Sequence, residues 1–107
     1  MSDICKGRAE ILRAAEKCVC GEREQDYGSP ENNFQAIADL WNAYLRAQYN
    51  GCCKLLAPLD VAMLMALLKV GRIATGTATR DSFVDACGYL ACGGEIISNQ
   101  TENKASS

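Results

Sequence analysis

Lys69 and Arg72 stand three residues apart inside a run that is otherwise apolar, and Asp81, Asp85 and Tyr89 follow at successive four-residue steps. Steps of three and four return to one face of a helix, so the two cations share a face, and the two carboxylates and the phenol share another. A cation turned toward an apolar interior is costly unless it is paired. Two arrangements supply that pairing. In one, the two segments run antiparallel and set the cations against the carboxylates as an internal ion-pair network. In the other, Lys69 and Arg72 hold an anion such as phosphate, with Asp85 orienting Arg72 and Tyr89 offering its hydroxyl. The planar fork of Arg is well suited to gripping phosphate through two parallel hydrogen bonds.

A second group lies in Asp26-Tyr27-Gly28-Ser29, which brings a carboxylate, an aromatic face and a flexible glycine to the start of a helix. Helix N-termini attract anions. Asn32, Asn33 and Trp41 on the helix that follows could read or stack on a base, as aromatic rings do with nucleobases. Ser29-Pro30-Glu31 is equally an ordinary helix start, and Trp41 also falls on the apolar stripe of its helix.

Other chemistries find little support. The chain of 107 residues has no His, which removes the commonest general base, and shows no phosphate-binding Walker loop or dinucleotide fingerprint. Its seven cysteines are Cys5, Cys18, Cys20, Cys52, Cys53, Cys87 and Cys92. Cys18-x-Cys20 and Cys52-Cys53 lack the spacing of a zinc ribbon, so we expect reduced thiols and no bound metal. Cys87 and Cys92 sit among Ala, Gly and Leu as small apolar core residues. With 11 Lys and Arg against 13 Asp and Glu, the chain lacks the positive field that DNA or RNA binding requires. The apolar run Val61 to Leu68 is far shorter than the roughly 20 residues that span a bilayer, and the N-terminus shows no continuous apolar segment. The expected location is the cytosol.

The elements that would position these groups read as four helices forming one all-α domain over residues 1–97, with 98–107 a disordered polar tail. The first helix runs from about Asp3 to Cys18 after Ser2 and ends near Gly21, with Ile4, Ile11, Leu12, Ala15 and Val19 on one stripe. The second starts with Ser29 as cap, Pro30 in the first position and Glu31 against the positive helix end, and Gly51 stops it. Phe34, Ile37, Ala38, Trp41, Tyr44 and Leu45 form its apolar stripe. The third opens at Pro58 with Asp60 and is closed by Gly76. It is apolar on every side, which places it centrally or beneath a second copy of the chain, so we expect a homodimer or tetramer. The fourth runs from Thr79 or Arg80 to Ile97. Its Ala86, Gly88, Ala91, Gly93 and Gly94 leave a surface almost without side chains, which suits close approach by another backbone or a ligand.

Three ordered blocks carry a family resemblance. Asp26-Tyr27-Gly28-Ser29-Pro30-Glu31-Asn32-Asn33-Phe34 with Ile37-Ala38-x-Leu40-Trp41 resembles a phage-encoded domain family of unknown function. Asp60-Val61-Ala62-x-Leu64-Met65 leading to Leu68-Lys69-Val70-x-Arg72, and Arg80-Asp81-Ser82-x-Val84-Asp85-x-x-Gly88-Tyr89, are similar to that family's other blocks. The resemblance covers roughly Ile11 to Ile97. The family is in turn similar to the MazG-like all-α nucleoside triphosphate pyrophosphohydrolases and to phage nucleotide-modification-associated domains, which implies a compact, MazG-like, oligomeric bundle that handles nucleotides.

The same resemblance marks a departure. MazG-like enzymes hold magnesium with a Glu-x-x-Glu pair on one helix and a Glu-x-x-Asp pair on the next. Asp85 matches the final Asp and Tyr89 the aromatic residue after it, but Ser82 stands in place of the Glu, and the third helix has Ala, Met and Leu where its pair belongs. Asp81 and Asp85 alone would make a weak cage for a hard cation. The expected function is therefore a phage-type protein that binds a small phosphorylated ligand, a nucleotide, and sequesters a host immune signal, linear or cyclic, without cleaving it and without a cofactor. The alternatives are a divergent magnesium-dependent pyrophosphohydrolase using Asp81, Asp85 and Glu22 or Asp26, and an interaction module with no small-molecule ligand.

Overall fold

The computed structural model describes residues 5–21, 29–50, 55–76 and 79–106, the last four of these for their backbone alone. Four helices follow in order: α1, Lys6–Cys20; α2, Pro30–Tyr49; α3, Pro58–Ala74; and α4, Arg80–Ser106. Among the described residues there is no strand, and no helix is long and apolar enough to cross a membrane.

Local chemistry sets most of the helix ends. Ser29 adopts an extended backbone and its Oγ accepts the Asn32 N–H at 3.3 Å, with Pro30 in the first turn. This satisfies one of the donors that a helix start leaves unpaired. At the other end of α2, Asn50 takes the left-handed conformation at φ 56, so the helix stops one residue before Gly51, which lies outside the described residues. The α3 start is fixed by Asp60, whose carboxylate accepts the Ala57 N–H at 2.8 Å. Thr75 caps its other end, and Gly76 follows at φ +82, a conformation open to glycine at little cost.

Two boundaries differ from those expected. The N-cap of α1 is Cys5, which makes no side-chain capping bond, while Ser2 and Asp3 lie outside the described residues. More substantially, α4 continues past Ile97 to Ser106. Residues 98–106 contain neither Pro nor Gly to break the helix, and Thr101 Oγ1 donates to the Ile97 carbonyl at 3.0 Å.

In the packing, α4 lies along α3, α1 packs on α4, and α2 packs on α3 and also reaches α4. The glycines of α4 make this possible. A Cβ at Gly88 would lie 3.2 Å from Val19 Cγ1 on α1, and one at Gly93 would lie 3.4 Å from the Ala62 Cβ on α3. The core gathers Phe34, Ala38, Val61, Ala62, Cys92 and Ile96. It is α4, with its small residues, that receives all three other helices. On α3, Val61, Ala62 and Ala66 are buried, but Met63, Leu64, Leu67, Leu68 and Val70 stay exposed. The chain itself therefore covers only part of this all-apolar helix.

Candidate functional site

Lys69 Nζ stands 3.2 Å from Asp85 Oδ2, joining α3 to α4. Together with the Ala62–Gly93 contact this sets an antiparallel register: as numbers rise along α3 they fall along the facing stretch of α4. The same register brings Arg72, one turn beyond Lys69, level with the first turn of α4, where Asp81 lies. Two cations from one helix thus face the stretch of the other that carries both carboxylates. The side chains of Lys69 and Asp85 are 21% and 33% exposed, so the pair is reachable from solvent yet shielded enough to hold a defined geometry. Asp85 thus holds Lys69, as the antiparallel pairing of cations against carboxylates expects.

One turn further along α4, the Tyr89 ring packs on Phe34 with centroids 6.2 Å apart and planes tilted by 35°. Tilted aromatic pairs at this separation are favourable beyond their buried area. The contact brings the capped start of α2, with half-buried Asn33 next to Phe34, to the part of α4 just past Asp85. Four residues of helix rise about 6 Å, so Asp85 and Tyr89 are near neighbours on one face. Asp26, Tyr27 and Gly28, expected to complete the site, lie outside the described residues.

Trp41 takes a different place. With Tyr44, Leu45, Leu56 and Leu64 it lines an open apolar cleft of about 270 Å³ between α2 and α3. A neighbouring clasp closes that junction: Asn42 Oδ1 accepts the Leu56 N–H at 2.8 Å, and Asn42 Nδ2 donates to the Leu56 carbonyl at 3.0 Å. Asn42 carries no such signal in the sequence, because a polar residue beside an apolar stripe looks like any solvated position.

Glu22 and Asp26, the further magnesium ligands of the alternative reading, lie outside the described residues. Among the described residues, no three His, Cys, Asp or Glu side chains converge, and Asp85 already faces a cation. Ser82, one turn before Asp85 on α4, is buried.

Residues 10–97 match the model of a domain described as a domain of unknown function, DUF6378. The chain is 37% identical over 94 residues to the gene 55 protein of Mycobacterium phage D29, covering 88% of this chain and 58% of that protein. It is 40% identical over 79 residues to the gene 55 protein of Mycobacterium phage L5, covering 74% of this chain and 47% of that one. The chain thus spans about half the length of these relatives. No solved structure matches it. These similarities carry the resemblance to a phage-encoded domain; they do not extend to the MazG-like enzymes.

Proposed function

The chain belongs to the DUF6378 family of phage-protein domains, and from the geometry of the α3/α4 seam we propose that it binds a small phosphorylated ligand, a nucleotide, and holds it without cleaving it. The observation that supports this reading is the half-open Lys69–Asp85 pair, one helical turn from a tyrosine that the start of α2 packs against. A phosphate entering there would share Lys69 with Asp85, while Arg72 reaches it through its fork. The N-terminal dipole of α2 favours the same charge. Binding without cleavage is the reading we favour because, among the described residues, the seam offers an anion two cations and brings no three His, Cys, Asp or Glu side chains together. For a phage, such a protein would serve to sequester a host nucleotide signal.

Native mass spectrometry of the purified full chain tests the reading, first for a co-purified small molecule released on denaturation, then with ATP and 3′,5′-cyclic AMP as probes. Retention of an intact nucleotide by the wild type and its loss in both Lys69→Ala and Arg72→Ala is the expected result. Release of pyrophosphate or monophosphate in the presence of magnesium would point to the pyrophosphohydrolase. Absence of any bound nucleotide would leave an interaction module.

A further inference from the structure

The seam between α3 and α4 is balanced in charge, and the balance restricts what can enter it. Along the antiparallel register, Lys69 and Arg72 of α3 stand level with Asp85 and Asp81 of α4, and Lys69 Nζ already lies 3.2 Å from Asp85 Oδ2. Arg80 adds a cation at the first turn of α4. The start of α2 adds a carboxylate. The Asn42–Leu56 clasp ties the middle of α2 to the entry of α3, while Phe34 meets Tyr89, so α2 runs antiparallel to α3 and carries its first turn, with Glu31, toward the end of α3 that holds Lys69. On these three helix ends, Lys69, Arg72 and Arg80 are thus matched one for one by Asp81, Asp85 and Glu31.

A seam without surplus positive charge attracts an anion only through close contact. Lys69 and Arg72 pull on each negative charge that enters, Asp81 and Asp85 push on it from similar range, and the repulsion grows with every further charge on the ligand. The gain comes from short hydrogen bonds donated by the two cations and the Tyr89 hydroxyl, and these number no more for a highly charged phosphate than for a singly charged one. A terminal phosphate carries about −1.5 to −2 near neutral pH. A phosphate esterified twice carries one charge and two free oxygens, one for Lys69 and one for Arg72. Among the described residues, no three His, Cys, Asp or Glu side chains converge to bring a metal that would offset the excess charge of a terminal phosphate or a polyphosphate.

We propose that the seam selects a phosphodiester, the chemistry shared by a cyclic nucleotide and by the linkage between two nucleosides. The inference rests on the nucleotide-binding reading and names the class of nucleotide that the site takes. Its cause is electrostatic: Asp85 exchanges one negative charge for another at Lys69, and a ligand with more charge meets Asp81 and Asp85 uncompensated.

Calorimetric titration of the full chain, in a buffer free of divalent ions, tests this with AMP, ATP, 3′,5′-cyclic AMP, adenylyl-3′,5′-adenosine and their guanine counterparts. At least one diester should bind roughly tenfold or more tightly than the monophosphate and triphosphate of the same base. Which diester binds separates a cyclic mononucleotide from an internucleotide linkage. Asp85→Asn keeps the shape of the side chain and removes its charge, so it should strengthen the binding of AMP or GMP more than that of the preferred diester and narrow the preference severalfold. A monophosphate or triphosphate bound as tightly as the diesters, or a preference unchanged in a folded Asp85→Asn, would overturn the proposal and leave the nucleotide reading standing. Binding of none of these compounds would overturn both.

Discussion

Gly93 of α4 rests against Ala62 of α3, so closely that a Cβ on the glycine would stand 3.4 Å from the Ala62 Cβ and 3.5 Å from Leu59 Cδ1. That contact belongs to the close approach of the two helices that brings Lys69 within reach of Asp85. Gly93 faces a completely buried Ala62, so a side chain that reaches well beyond a methyl group at Gly93 would part the helices.

Gly93→Leu should therefore destabilise the protein by about 1–3 kcal/mol through overpacking. Gly93→Ala makes only an ordinary contact and gains helix propensity, so it should lie within about 1 kcal/mol of the wild type. Urea unfolding of both variants checks this. Equal losses in the two would mean that the glycine serves something other than helix approach.

Asn42→Ala should cost about 1–3 kcal/mol, because it leaves both the N–H and the carbonyl of part-buried Leu56 without the partners that now hold them. Asn42→Asp keeps the acceptor for the Leu56 N–H and loses the donor to its carbonyl, so it should fall between wild type and Ala. An Asp variant less stable than Ala would show that charge repulsion at the Leu56 carbonyl outweighs the retained bond.

Lys69→Ala and Asp85→Ala, singly and together, form a cycle that isolates the ion pair. Both side chains are partly exposed, so solvent screens them and the coupling should be no more than about 1 kcal/mol, weakening as salt is added. A coupling of several kcal/mol, insensitive to salt, would instead make the pair a structural fastening of α3 to α4 and would argue against its opening to admit an anion.

What the sequence disclosed follows from the range of the forces involved. Ser29-Pro30 and Gly76 mark helix ends through bonds and torsions confined to a few residues, and these were legible. The glycines of α4 were legible as a place of close approach, though the sequence could not name Val19 and Ala62 as what approaches. The partner of Asp85 depends on the antiparallel register, and a shift of one turn would have offered it Arg72, so spacing alone left the choice open. The continuation of α4 past Ile97 was missed because the polarity of residues 98–106 argued for a tail, whereas a helix already nucleated and packed over four turns extends at little cost through residues that merely fail to break it. Asn42 gave no signal at all, since its role depends on where the chain returns at Leu56.

Tyr89 allows the structural and ligand-binding roles of the site to be separated within one residue. Its ring packs on Phe34 and against the core, while its hydroxyl is the group assigned to the phosphorylated ligand. Tyr89→Phe keeps the ring and removes only the hydroxyl, so thermal stability should change by less than about 1 kcal/mol. Nucleotide affinity, measured by calorimetry, should fall by roughly tenfold to a hundredfold, the equivalent of one hydrogen bond to a charged group. Tyr89→Ala should lower both, losing about 3 kcal/mol or more of stability as the Phe34 contact and the filled volume disappear. If Tyr89→Phe binds nucleotide as the wild type does while Lys69→Ala does not, the tyrosine acts only by positioning the start of α2, and the ligand is held by the cations alone.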